Sequence, residues 1–401
     1  MKPLYRLVLS LLKKIKPMTG KYKISNKSVI GSQYFIYFGV MGIFLPYFNL
    51  YCFHIGFSGF QIGILSALRA LATILMPLFW GAMADRFQIR KPIYILCNFI
   101  STAIWVFFIF TAKFWPMLII TIFYSIFYAP IISLLETFTI DVLGKEKKSY
   151  GSLRVWGSIA FICVVIALGK IIDLYSIKII IILIFAGSFA MSLVSTKIPD
   201  TASLKKESCI SDTRVLLKRS VIVFLFCAFL MLVSHGAYYA FFSIHLENMG
   251  YDKTFIGLAW ALASCAEIFV MIKSDKIFKR YSMENVLIFS FILASLRWLI
   301  LFFTKSPAII LFSQIFHAIS YGSFHIASIL YIDSLTPDKA KTLGQAANNS
   351  VTYGLGMAVG FLISGSLYNS MGSFALFLIS AFIAMTGGIL FFIETKRLIT
   401  F

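Results

Sequence analysis

Negative charge is scarce in this chain. Sixteen aspartates and glutamates stand against 36 lysines and arginines, and charged residues of both signs fill only 13% of 401 positions. A soluble domain carries roughly 25% charged residues, so that class is excluded. The six cysteines (Cys52, Cys97, Cys163, Cys209, Cys227, Cys265) are scattered, without a disulfide framework or metal-ligand spacing. No glycine loop ending in Gly-Lys-Ser/Thr occurs, which excludes ATP hydrolysis by that route. Long polar connections and a nucleophile-base constellation are missing too, so neither an enzyme nor a bound cofactor or metal is expected.

What the chain has in abundance is apolar length. Hydrophobic residues make up 60% of it, in continuous runs rather than alternation, which favours spanning helices over a membrane barrel. Runs of about 20 residues, enough for one crossing each, lie near 31–52, 60–83, 92–112, 115–142, 150–169 and 177–196, then near 220–244, 254–272, 284–304, 307–332, 343–368 and 373–393. The expectation is an all-α integral membrane protein of twelve transmembrane helices in two six-helix bundles, 29–196 and 220–395. A basic segment 1–28, a linker 197–219 and a tail 396–401 complete the chain.

The net charge of +20 becomes topology once it is sorted by side. Of the basic residues, 28 fall in the first segment, the loops after even-numbered spans and the tail; five (Lys113, Lys170, Lys178, Lys253, Lys305) fall on the other side; three lie inside spans. That bias places both termini in the cytoplasm of a plasma (inner) membrane protein, and the charge needs no nucleic acid partner. In the first segment Leu4, Leu7, Val8, Leu11, Leu12 and Ile15 follow helical spacing opposite Arg6, Lys13 and Lys14. This reads as an interfacial helix on anionic lipid, with a disordered basic tail as the alternative.

The two halves repeat. Asp85 and Asp275 are 190 apart, Asp141 and Asp333 are 192 apart, and Gly151 and Gly344 are 193 apart. Landmarks at one nearly constant offset indicate parallel repeats, an arrangement that transporters use to place a substrate site at the repeat interface.

These residues also carry a resemblance. GAMADRFQIRK (Gly81 to Lys91) resembles the loop 2-3 motif of the major facilitator superfamily, although the family often has glycine where Gln88 or Ile89 stands. YGSLRVWGSIAF (Tyr150 to Phe161) resembles the start of helix 5 in the phenylpropionate-permease branch, which is related to the lactose permease and nucleoside-proton symporters. Phe44-Leu45-Pro46, Pro77, Leu296-Arg297-Trp298 and the stretch from Gln314 and His317 to His325 are similar to that branch as well. The resemblance runs over all twelve spans.

Ionisable groups inside a bilayer are costly, so each one demands an account. Glu136 and Arg154 flank a loop symmetrically, with midpoint 145, and so lie at equal depth. They are either a structural ion pair or, as the resemblance to the lactose permease implies, part of a substrate site. Glu267 and Arg297, with midpoint 282, are expected as a second pair. The resemblance implies a proton-coupling role for this pair, with Glu267 favoured over Glu136 or a histidine as the proton carrier, and a static ion pair as the alternative. His317 and His325, about 80° apart on an ideal helix, could face one cavity. His317 matches the lactose-permease helix-10 histidine, but Ser320 stands where that family has a carboxylate. His235 is a weaker candidate beside Tyr238 and Tyr239. Arg69 has no matched acidic partner, which suits an anionic solute, or else it bonds neutral polar groups. Trp156 could stack on a substrate ring. Asp85, Arg86, Arg90 and Asp141, with Asp275, Lys276 and Asp333, look like the cytoplasmic latch of the superfamily.

The function expected from the residues and the resemblance together is secondary active transport: a monomeric proton symporter importing an aromatic carboxylate, a sugar or a nucleoside. The alternatives are an uncoupled facilitator, an exporter or, further off, a membrane-embedded sensor or enzyme.

Overall fold

The computed structural model describes residues 26–144, 146, 149–200 and 213–400. The interfacial-helix expectation for 1–28 and most of the 197–219 linker therefore lie outside the described residues.

The described residues are nearly all helical. The first set of helices is α1 (Asn26–His54), α2 (Gly59–Phe87), α3 (Arg90–Trp105), α4 (Phe114–Tyr128), α5 (Pro130–Leu143), α6 (Tyr150–Leu174) and α7 (Ile179–Ser195). The second set is α8 (Arg219–Asn248), α9 (Lys253–Arg280), α10 (Met283–Phe303), α11 (Pro307–Ile315), α12 (Phe324–Leu335), α13 (Lys341–Asn348) and α14 (Met357–Thr400). α4 and α5 join into one apolar crossing, as do α11 and α12. Ten stretches among the described residues are long and apolar enough to cross a membrane. One of them, Asp338–Arg397, runs for 60 residues and bends at Gly372, whose φ of 74° suits a residue without Cβ. α7 is a shorter apolar helix of 17 residues. The outward faces carry exposed apolar side chains such as Leu78, Phe110 and Trp115, the surface expected against lipid chains.

Local sequence explains where helices begin. Ser58 and Gln61 form a reciprocal capping box at the start of α2, and Asp252 and Ser282 cap α9 and α10 by accepting from Phe255 N and Asn285 N. α2 ends at Gln88 with φ 54°, the left-handed position that glycine fills more easily. This is the point at which the sequence departs from the family's preference.

α1 packs along α6 and α7 in the first set, and α14 packs along α8 and α10 in the second. The sets meet where α2 lies on α14 and α6 lies on α9. Both seams depend on glycine: a Cβ on Gly63 would come within 2.6 Å of Phe361 O, and one on Gly169 within 2.4 Å of Lys253 O. Backbones can approach this closely only where a side chain is absent.

Candidate functional site

Between the two sets lies a cavity of about 820 Å³ lined by both. It is sealed at one end. There the Asp173 carboxylate accepts from Lys253 N at 2.9 Å, Thr254 N at 2.8 Å and Thr254 Oγ1 at 2.6 Å, so a residue of the first set caps α9 of the second. His54 Nε2 lies 2.8 Å from Glu247 Oε2, which belongs to a carboxylate that also holds Lys253. Gly59 N donates to Asn369 Oδ1 at 3.0 Å. The lining extends to Tyr150, the first residue of α6, whereas Asp173 sits at that helix's far end. The cavity therefore reaches the opposite, lysine- and arginine-rich side of the molecule.

The second-set wall holds a chain of three ionisable groups. Arg297 is 0% exposed and lies behind the cavity wall, its guanidinium 4.0 Å from the Tyr238 ring centroid and 4.7 Å from that of Trp298. Its Nη1 donates to His317 Nδ1 at 2.9 Å and its Nη2 to Gln314 Oε1 at 2.7 Å. His317 Nε2 in turn lies 4.0 Å from Glu267 Oε2 and 3.5 Å from Tyr239 OH. The direct Glu267–Arg297 pair expected from equal depth is thus corrected: His317 stands between them. Matched depth sets only the height of two groups, and here the third helix fills the space between the other two.

His317 and His325 both line the cavity, but not on an ideal helix. A π-helical turn at Ala318–Ser323 separates them, and a second one at Asn349–Gly356 carries Tyr353, whose hydroxyl lies 2.7 Å from His325 Nδ1. Such widened turns recur at functional sites because they re-aim side chains. His235 is fully buried away from the cavity. Its Nδ1 donates to Met231 O at 2.8 Å and its ring lies edge-on to Trp298.

On the first-set wall, Glu136 and Arg154 both face the cavity, but they form no ion pair among the described residues. The Arg154 guanidinium instead lies 4.0 Å from the Phe38 ring centroid. Arg69 Nη2 donates to Asn49 Oδ1 and Ser66 Oγ at 3.1 Å each. Trp156 does not join the cavity. It is 50% exposed and lies against Gly31, because two residues turn a helix by about 200° and carry it to the face opposite Arg154.

The polar clusters on the basic side differ between the halves. Arg90 forks between Asp141, at 2.8 Å from Nη1, and Asp85, at 2.9 Å from Nη2; Arg86 turns to the Phe87 ring. Asp275, Lys276 and Asp333, the repeat-related set, are not joined to one another by ion pairs among the described residues. Asp333 pairs with Lys341 at 3.0 Å, while Asp275 and Lys276 are exposed and form no ion pair among the described residues. Arg280, the counterpart of Arg90, lies over Tyr281 instead. Sequence reasoning missed Asn49, Ser66, Tyr353, Asp173 and Lys341. Only the proximity of a neutral amide and a hydroxyl to a lone arginine gives the first two meaning, and sequence alone does not reveal that proximity.

Residues 29–379 match the model of the MFS_1-like family. The chain belongs to that family. A relative from Escherichia coli (strain K12), described as "Probable 3-phenylpropionic acid transporter", is 27% identical over 88% of this chain and 93% of its own length. The maltose permease of Geobacillus stearothermophilus is 23% identical over 93% of this chain and 95% of its own length. Among solved structures, the nucleoside transporter NupG superposes with a TM-score of 0.79 at 19% identity, covering 93% of this chain and 100% of that one. A bacterial homologue of the human lysosomal transporter Spinster gives a TM-score of 0.70 at 12% identity, covering 94% and 98%. This MFS_1-like protein is a multi-pass membrane transporter of small molecules with the major facilitator fold, and not an enzyme.

Proposed function

We propose that this transporter is a proton-coupled symporter that takes up a small organic solute bearing a carboxylate, by alternating access of two six-helix bundles. The observation that carries the reading is the Glu267–His317–Arg297 chain at the cavity wall. In it a carboxylate with 23% of its side chain exposed can bind and release a proton without disturbing the buried arginine. A cavity sealed at one end and extending to the other is the arrangement that alternating access requires. Two cavity arginines without ion pairs among the described residues favour an anion over a neutral sugar or nucleoside, and the relative described as a 3-phenylpropionic acid transporter supports that class.

The proposed topology has twelve crossings, counting α7 as one and dividing the last 60-residue stretch at Gly372. Both termini lie in the cytoplasm of the plasma membrane, and the working unit is a monomer. The test is uptake in proteoliposomes with 3-phenylpropionate as the first probe and maltose and a nucleoside as the other arms. An inward proton gradient should drive accumulation of the acid. Accumulation that a protonophore leaves unchanged would overturn the symport reading.

A further inference from the structure

Arg69, Arg154 and Arg297 lie in the membrane-spanning helices beyond their first and last turns, and their surroundings differ. Arg297 is shut away from the cavity and both of its terminal nitrogens are occupied by His317 and Gln314. Arg154 faces the cavity together with the Glu136 carboxylate. Arg69 has only neutral partners: Nη2 is shared by Asn49 Oδ1 and Ser66 Oγ, and the guanidinium lies 4.6 Å from the Phe44 ring centroid and 5.1 Å from that of Phe48. Its second terminal nitrogen, Nη1, is buried and has no hydrogen-bond partner among the described residues.

A guanidinium always donates and is always charged, so a buried Nη1 with nothing to accept from it is a costly defect unless something arrives to fill it. Here the rest of the group is held rigidly. The Asn49 and Ser66 bonds fix its plane, the two stacked rings lie beside it, and the arginine lines a cavity shared with the second half of the molecule. Preorganisation of this kind lowers the entropic cost of binding an anion. The cradle also touches the seal between the halves, because Asn49 Nδ2 lies 3.2 Å from Ala240 O on α8.

We infer that Arg69, held by Asn49 and Ser66, is the anchor for the carboxylate of the transported solute, which places the solute's negative charge at the sealed end of the cavity. This rests on the carboxylate reading above and adds the position and the group that enforces it. Phe44 and Tyr124, both in the cavity lining, then supply apolar surface beside the anchored group. Charge selectivity follows: an uncharged amide of the same shape cannot satisfy Arg69, because it leaves a cation uncompensated.

The test compares binding of 3-phenylpropionate and its uncharged amide to the purified full-length protein. Wild type should bind the acid at least about tenfold more tightly than the amide, since charge-assisted hydrogen bonds are the stronger kind. Arg69→Gln should erase that preference, with acid binding falling by at least about tenfold. Asn49→Asp provides a second route if Arg69→Gln does not fold: a carboxylate 3.1 Å from Arg69 would supply an internal counter-ion and remove the acid preference. Equal affinity of wild type for acid and amide, or an undiminished preference in both variants, overturns the anchor. Proton-driven uptake without acid preference would leave symport standing and remove the anchor. Acid preference lost in the variants, with uptake indifferent to a protonophore, would establish the anchor and remove symport.

Discussion

Arg297 donates to His317 through a 2.9 Å contact at Nδ1, and that contact sets the tautomer of the histidine. Because a guanidinium cannot accept, Nδ1 carries no proton, and the ring hydrogen sits on Nε2, facing Glu267 and Tyr239. A second proton on the ring would break the Arg297 contact and place two cations side by side. In the proposed symport His317 would then serve as a neutral bridge, and Glu267 as the member of the chain that exchanges a proton.

Replacing His317 separates a bridge from a carrier. Glutamine offers one acceptor and one donor but does not titrate, so His317→Gln should retain proton-driven uptake to within about tenfold, whereas His317→Leu, which strands the Arg297 donor, should lose it. The measurement is initial uptake rate against pH for both variants. Complete loss of uphill uptake in His317→Gln, with exchange intact, would make the histidine the carrier.

Glu267→Gln should uncouple transport. Counterflow exchange, which needs no net proton movement, should stay near wild type, while uphill accumulation should fall by at least about tenfold, as expected when a proton-relay carboxylate is removed. Equal loss of both activities would assign Glu267 to substrate binding instead.

The Asp173 cap joins the halves at the sealed end, and the proposed alternating access requires it to open there. Asp173→Ala removes the acceptor that three donors share and should weaken this end by about 1 kcal/mol, the usual worth of a cap. Spin labels on Tyr175 and Met371, both exposed at the sealed end, should then report a larger population of long distances. Gly63→Ala should act in the same direction, since its new methyl would strike Phe361 O and force α2 from α14. An unchanged distance distribution in both variants would show that the seal lies elsewhere.

On the basic side, Arg90→Lys should slow transport without altering substrate affinity. A lysine is a single point charge and cannot fork to Asp85 and Asp141 at once. Matching affinities from binding measurements, alongside a lower turnover in exchange, would bear this out. An affinity loss equal to the rate loss would place Arg90 in the binding step.

Much of this was legible in the chain before any coordinates. Runs of apolar residues mark the spans to within a few positions because a helix must cover about 30 Å of hydrocarbon whatever its neighbours. The cavity-facing positions of Glu136, Arg154, Glu267 and His317 were legible as well, because a charge in a bilayer must turn inward. Trp156 was misread because an indole carries no such penalty on the lipid side, so its proximity to Arg154 in sequence said nothing about its face.

The order of amino acids is enough to make this a helical membrane protein and to name the few side chains its interior has to accommodate. Packing in three dimensions sets who meets whom: His317 between Glu267 and Arg297, Asp173 on the amides of the opposite half, Arg69 with a donor to spare among the described residues. Hydrophobicity acts residue by residue and can be read along a line. Hydrogen bonds depend on ångström-scale distances between helices far apart in the chain, and those distances are set by packing.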